Sequence, residues 1–441
     1  MTKTSNYTNK WYKLDNAATI VPCSAHGADT RVFRIACELK EEVDPALLQE
    51  CLDETMEEFP YLNSYLRKGL FWYYLDGLRR TARVEEDAHA ALRPIYFPGR
   101  RNLLYRVSYY HRRINLEMFH VLADGTGAFI FFRSLLTRYL SRAHGLDMQE
   151  APVTDTSSSR EKAGDAFSYY YHRGGPGSDQ LKKMTSVRAF QIREERDPNL
   201  QNHLVEGIVS ARQFVDCAHG YKTTVGVLAV SLYIAALLET MSLRDRKKPV
   251  VISVPVNLRQ FFPSETTRNF FGVINIQFSA AQYDGTLESI LPSVQDSFKE
   301  QLTPDRVNGT MNAYSALANN YVVKVVPLFI KEPVLTYYIA HARSGITATL
   351  SNMERIRMPE AVQEYIDHFA AFMTAPSMQI TMATYGDKLV FGSAGSYTDH
   401  QVLLYFYRKL TALGMSVEIA SNDYDMPEDP SRAGKAGKEG R

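Results

Sequence analysis

Cysteine is scarce in this chain, four in 441 residues, scattered as Cys23, Cys37, Cys51 and Cys217. No two stand at a metal-ligand spacing, and four thiols in a chain this long make no disulfide framework. They read as buried thiols of a reducing compartment. An excess of one charge is equally lacking: 50 Lys and Arg stand against 49 Asp and Glu, a formal net charge of +1. That balance removes the electrostatic case for nucleic acid or an anionic membrane as partner. Long hydrophobic runs are missing too. The longest, Val225 to Leu238, falls short of the ~20 residues that cross a bilayer and reads as a buried helix, so no membrane span is expected. The stretch Met1 to Lys13 is polar and has no apolar signal-peptide core. No G-x-x-x-x-G-K-[ST] phosphate loop occurs. His111, His172, His203, His341, His368 and His400 have no partner at metal-ligand or triad spacing, so no metal is expected. A soluble, cytoplasmic, monomeric protein remains, with ordinary globular usage of 45% hydrophobic and 22% charged residues. Its length suits two cores better than one.

Secondary-structure signals alternate between strand and helix throughout. Thr30 to Leu39 alternates as a strand. Asp44 caps a helix to Phe59, with Pro45 at its first position and Pro60 as its stop. Gly69 to Leu75 reads as a short aromatic strand, and Leu103 to Leu122 as a hairpin turning at His111-Arg112-Arg113. After a long helix from Gly127 to about Gly145, residues 147–177 have the composition of a connector. The second half gives strands at His203–Ser210, Val250–Val256 and up to Phe278, helices at 224–241 and Leu287–Leu302, and a strand at Ile346–Ser351. A hairpin at 377–392, a helix at Asp399–Leu413 and a strand at Ser416–Ala420 close it. The tail 421–441 is Pro-, Gly- and Lys-rich and is expected to be disordered. The mixture in both halves predicts an α/β protein of two related subdomains, 1–175 and 176–420.

One stretch gathers the chemistry. In the hairpin's second strand Leu116, Met118, His120 and Leu122 share a face, so His120 extends an otherwise apolar row. Asp124 then stands at the turn into the helix, followed by Gly125. A histidine at the end of a rigid strand is a candidate general base, because its pKa of ~6.5 leaves it largely neutral yet basic near neutral pH. Taken alone, such a histidine is more often a satisfied core residue. Asp124 is a good N-cap for a helix starting near Thr126, and Gly125 permits a tight turn.

The motif His120-Val121-Leu122-Ala123-Asp124-Gly125 resembles the H-x-x-x-D-G active-site motif of the CoA-dependent acyltransferase superfamily. That superfamily has a chloramphenicol acetyltransferase-like fold and includes alcohol acetyltransferases and non-ribosomal condensation domains. Val254-Pro255-Val256-Asn257-Leu258-Arg259, Asn269-Phe270-Phe271-Gly272 and Thr349-Leu350-Ser351-Asn352 are similar to further segments of it. The resemblance covers about residues 1–420 and lies nearest the alcohol acetyltransferase-like branch. Condensation domains carry two adjacent histidines, whereas Phe119 holds the first place here.

The resemblance implies two α/β subdomains with a substrate tunnel between them. It implies acyl transfer, of an acetyl group by preference, from acyl-CoA as co-substrate to the hydroxyl or amine of a small acceptor. His120 would act as base with no covalent acyl-enzyme and no permanently bound cofactor. Asp124 would be an anchor paired with an arginine, for which Arg259 is the candidate, while Asn269 and Gly272 would fix a loop. Ser351, Asn352 and Asn275 are candidate substrate or oxyanion donors, or simply structural polar residues. A carrier-protein thioester as donor, and a binding module without turnover, are the alternatives.

Overall fold

The computed structural model describes residues 11–78, 80, 82–146, 162–171, 188–319, 324–375 and 377–422. The expected connector is described only at 162–171, and the tail beyond 422 lies outside the described residues. Asp44 accepts the backbone N–H groups of Ala46 and Leu47, satisfying donors the first turn leaves free, and the helix Pro45–Glu58 follows. It packs on the helix Gly125–Ala143, and both share the core of a five-stranded sheet. The strand order in that sheet is Ile366–Met373, Val32–Leu39, Arg113–Phe119, Tyr105–Tyr110 and Val84–Glu86.

The second sheet has seven strands, ordered Phe271–Phe278, Val250–Asn257, Ala348–Arg355, Gln379–Tyr385, Lys388–Gly395, His203–Ser210 and Glu418–Ser421. Ala348–Arg355 runs parallel to both neighbours and the other pairs are antiparallel. Helix Val225–Thr240 is covered on all sides, with every residue from Val227 to Leu238 buried. Among the described residues no single helix is long and apolar enough to cross a membrane. A small third sheet joins Trp11–Lys13, Tyr73–Gly77 and Ser64–Lys68.

The two large sheets meet through a late strand. Ile366–Met373 pairs antiparallel with Val32–Leu39, from Ile366 opposite Leu39 to Met373 opposite Phe33. Its other face lies against Gln379–Tyr385 and Lys388–Gly395. At Gly392 a Cβ would stand 2.3 Å from the Ala371 carbonyl oxygen, so only glycine permits this approach. An ionic seam runs alongside. Glu206 of the second sheet takes a bidentate Arg113 from the first, and the His368 Nε2 lies 3.5 Å from Glu206.

Several expectations shift locally. Gly69 to Trp72 is the turn of a hairpin formed by Ser64–Lys68 and Tyr73–Gly77, because the Gly69 N–H bonds the Trp72 carbonyl and closes the loop there. The amphipathic stretch from Leu287 becomes helical only at Leu291, where Pro292 sits in the first turn. Helices Pro304–Asn319 and Leu328–Arg343 were not anticipated, nor was the strand Ile366–Met373. That strand is buried on both faces over most of its length, so its sequence has no alternation to read. Helix Leu328–Arg343 leaves Phe329, Ile330, Val334, Tyr337 and Tyr338 exposed and holds Pro333 inside, which blurs its period.

Candidate active site

Strand Arg113–Phe119 is a central strand, buried at six consecutive positions, and it delivers His120 one residue past its end. There the His120 backbone N–H bonds the Arg31 carbonyl at 3.0 Å, and Leu122 N–H turns back to the Phe119 carbonyl. The imidazole is partly buried between Phe33 and Phe271, whose ring centroids stand 5.3 and 5.6 Å away. Burial pushes its pKa below the ordinary value, while the Asp124 charge works against that shift.

Asn269 reaches the imidazole itself. Its Oδ1 lies 2.9 Å from His120 Nδ1, and its Nδ2 donates to Asp15 Oδ2 at 3.1 Å. A carboxylate only accepts, so it draws the amide NH2 toward itself and turns the amide oxygen to the ring. Nδ1 must then carry the proton, an assignment made from this network. The lone pair is left on Nε2.

Asp124 performs both roles read for it. Oδ1 accepts the Gly127 N–H at 2.8 Å and caps the helix, which starts at Gly125. Oδ2 accepts from Arg259 Nη1 at 2.8 Å and from the Phe270 N–H at 2.8 Å. Arg259 in turn donates to the carbonyls of Thr266 and Arg268 at 3.0 and 2.7 Å. The guanidinium thus folds the 266–270 loop around itself and sets Asn269 on His120.

Glycine is required in this stretch, but two residues later than expected. Gly125 has no positive φ, and an added Cβ there would meet nothing within 4 Å. At Gly127 an added Cβ would stand 1.8 Å from the Thr267 carbonyl oxygen. The turn therefore does not need glycine at 125; the close approach of the second-half loop needs it at 127. Gly272 has a milder constraint, since a Cβ would lie 3.3 Å from Leu258 Cδ2.

The candidate donors are not drawn to the imidazole. Among the described residues Ser351, Asn352 and Asn275 make no hydrogen bond to His120 or Asn269. Asn352 Oδ1 accepts the Glu354 N–H at a bulge in its strand, and the Asn275 main chain pairs with the Gln301 amide. Asp15, Phe33 and Thr267 were not singled out in the sequence, and no motif there marks them; Phe271 lies within the Asn269–Gly272 motif but was given no role of its own. No three His, Cys, Asp or Glu side chains among the described residues converge as metal ligands.

A cavity of about 700 Å³ is lined among others by Thr30, Tyr65, Arg67, Tyr73, Tyr96 and Arg101. Tyr96 stacks on Phe119 at 5.4 Å, on the strand face opposite the one His120 shares with Leu116 and Met118, and neither His120 nor Asn269 lines this cavity.

No protein family's sequence profile matches the chain, and no curated protein matches it in sequence. Solved structures do match in shape. Trichothecene 15-O-acetyltransferase from Fusarium sporotrichioides superposes with a TM-score of 0.63 at 12% identity, over 91% of this chain and 94% of that one. The first condensation domain of the CDA synthetase gives 0.63 at 14%, over 93% and 99%. Polyketide synthase associated protein 5 from Mycobacterium tuberculosis gives 0.62 at 14%, over 90% and 97%. A related match is a Fusarium graminearum protein complexed with coenzyme A and T-2 mycotoxin. Identity this low shows the fold: two α/β subdomains of the chloramphenicol acetyltransferase-like, acyltransferase and condensation type.

Proposed function

We propose that this chain, built on that fold, is an acyltransferase that moves an acyl group from acyl-CoA to the hydroxyl or amine of a small acceptor. The observation that carries the reading is the state of His120: Nδ1 is held by Asn269 and Nε2 is left free to accept a proton. Acyl transfer needs such a base. The acceptor O–H or N–H gives its proton to Nε2 as its heteroatom attacks the thioester carbonyl. The tetrahedral intermediate collapses with loss of the C–S bond, and the imidazolium returns the proton to the CoA sulfur. No bond to the enzyme forms. Burial in a partly apolar pocket keeps the imidazole neutral and ready.

In this reading Asp124, Arg259, Asn269 and Gly272 hold the site. Ser351, Asn352 and Asn275 are assigned to the walls of the substrate tunnel, away from the proton. The protein works as a cytoplasmic monomer, with its subdomains at 1–175 and 176–420. The acetyl group is the preferred cargo.

A carrier-protein thioester is the second donor to test, because condensation domains share the fold. Against it, Phe119 occupies the place of their first histidine and is buried and stacked on Tyr96. Free CoA is measured with acetyl-CoA and a panel of alcohols and amines, on wild type and His120→Ala. Activity that survives the substitution unchanged refutes the mechanism. Turnover only with acyl carrier protein transfers the reading to the second donor.

A further inference from the structure

We propose that Asp15 is a positioning residue for His120, acting through the Asn269 amide to keep the imidazole in the tautomer with Nε2 unprotonated. The inference rests on the base role proposed above for its consequence, though its geometry stands alone. Asp15 lies just past the strand Trp11–Lys13, more than 100 residues from His120 in sequence, and is 1% exposed. Both of its oxygens are committed: Oδ1 accepts the Ala18 N–H at 2.8 Å, and Oδ2 accepts Asn269 Nδ2 at 3.1 Å. Arg268 Nη2 stands 3.5 Å from Oδ2 and supplies the countercharge.

A turn and a countercharge alone would not demand a carboxylate facing Asn269. Asparagine closes the same kind of turn through its side-chain oxygen. What a carboxylate adds is acceptance at both ends. An asparagine at 15 that keeps its oxygen on the Ala18 N–H must aim its NH2 at Asn269. The Asn269 amide then has to rotate, offering its oxygen to residue 15 and its NH2 to His120 Nδ1. An imidazole that accepts at Nδ1 carries its proton on Nε2. The base would then be blocked without moving a heavy atom by more than an amide flip. Burial pushes the Asp15 carboxyl up to about 6, with Arg268 opposing, so it remains an acceptor at neutral pH.

The experiment reads the tautomer directly. Full-length protein labelled with ¹⁵N-histidine is examined by long-range ¹H–¹⁵N correlation at neutral pH, with the His120 signals assigned by difference from His120→Gln. Wild type is expected to show a pyrrole-type Nδ1 and a pyridine-type Nε2. Asp15→Asn is expected to exchange the two and to lower kcat by roughly 10²-fold with little change in KM. Asp15→Asn combined with Asn269→Asp restores the acceptor facing Nδ1 and is expected to restore the wild-type pattern.

An Asp15→Asn protein that keeps the wild-type pattern overturns the proposal, since a structural role alone leaves the tautomer untouched. Should that variant not fold, wild type still decides: a proton on Nε2 there overturns the proposal outright. The NMR result does not depend on turnover. Tautomer exchange in a protein that transfers no acyl group leaves Asp15 in place and rejects the acyltransferase reading instead.

Discussion

Arg259 Nη1 lies 2.8 Å from Asp124 Oδ2, across 135 residues of sequence, and the same guanidinium binds the carbonyls of Thr266 and Arg268. The pair ties the turn after His120 to the loop that carries Asn269. Their side chains are 8% and 12% exposed for Asp124 and Arg259, so neither charge is well solvated alone. Asp124→Ala or Arg259→Ala is expected to cost about 3–5 kcal/mol by urea denaturation, because each leaves an uncompensated charge. The double variant is expected to cost less than the sum of the two. Additive losses in that cycle would disprove the coupling.

Gly127→Ala sets a methyl group against a backbone oxygen that cannot rotate away. The expected loss is at the upper end of the roughly 1–3 kcal/mol typical of overpacking, accompanied by a drop in acyl transfer, since Thr267 is two residues from Asn269. Gly125→Ala meets open space and has no positive φ. It is expected to be neutral or to stabilise by up to ~1 kcal/mol through helix propensity. Thermal melts of the two variants side by side test the assignment; equal losses would contradict it.

Activity against pH follows the direction of the His120 shift. The base form is the deprotonated one, and burial lowers its pKa, so the acidic limb of kcat/KM is expected below the ~6.5 of free imidazole. The folded state also binds fewer protons here than the unfolded state, so this residue's contribution to stability is lost as pH falls below ~6.5. His120→Gln is expected to remove that component. A limb above 6.5 in the pH–rate profile would contradict the assignment.

Glu206 holds Arg113 and His368 across the two sheets, and these partners overcome burial to bring its pKa down to about 2. A depressed carboxylate stabilises the fold above its unfolded value of ~4.3, and the effect is lost as pH falls toward 2; it is worth about 3 kcal/mol. His368 shifts the other way, upward, through Glu206 and Asp367 although burial opposes it. Its contribution is full below ~6.5 and is lost as pH rises through its raised value. The seam is therefore expected to be strongest between roughly pH 4.5 and 6.5. Melting temperatures across pH 2–9 check this, and Glu206→Gln should lower the profile above about pH 4.5 and converge on wild type toward pH 2.

The parts of this protein that were legible in the sequence share a local cause. Asp44-Pro45 specifies a helix start by capping and by proline geometry, and the helix forms there. Leu116, Met118 and His120 alternate because one hairpin strand alternates, and the strand stops beside His120. Asp124 capped its helix as a residue of its type does. The strand Ile366–Met373 was invisible for the opposite reason: buried on both faces, it carries no period.

At the site, sequence by itself determined His120, its strand and its turn, since these depend on neighbours a few residues apart. Only the tertiary structure decided which nitrogen of His120 is free, that glycine is needed at 127 and not at 125, and that Asp15 stands behind Asn269. Each of those follows from backbone and side chains more than 100 residues apart being brought within hydrogen-bond or contact distance. Such contacts are made when the sheets and the 266–270 loop pack together, and no local pattern in the chain records them.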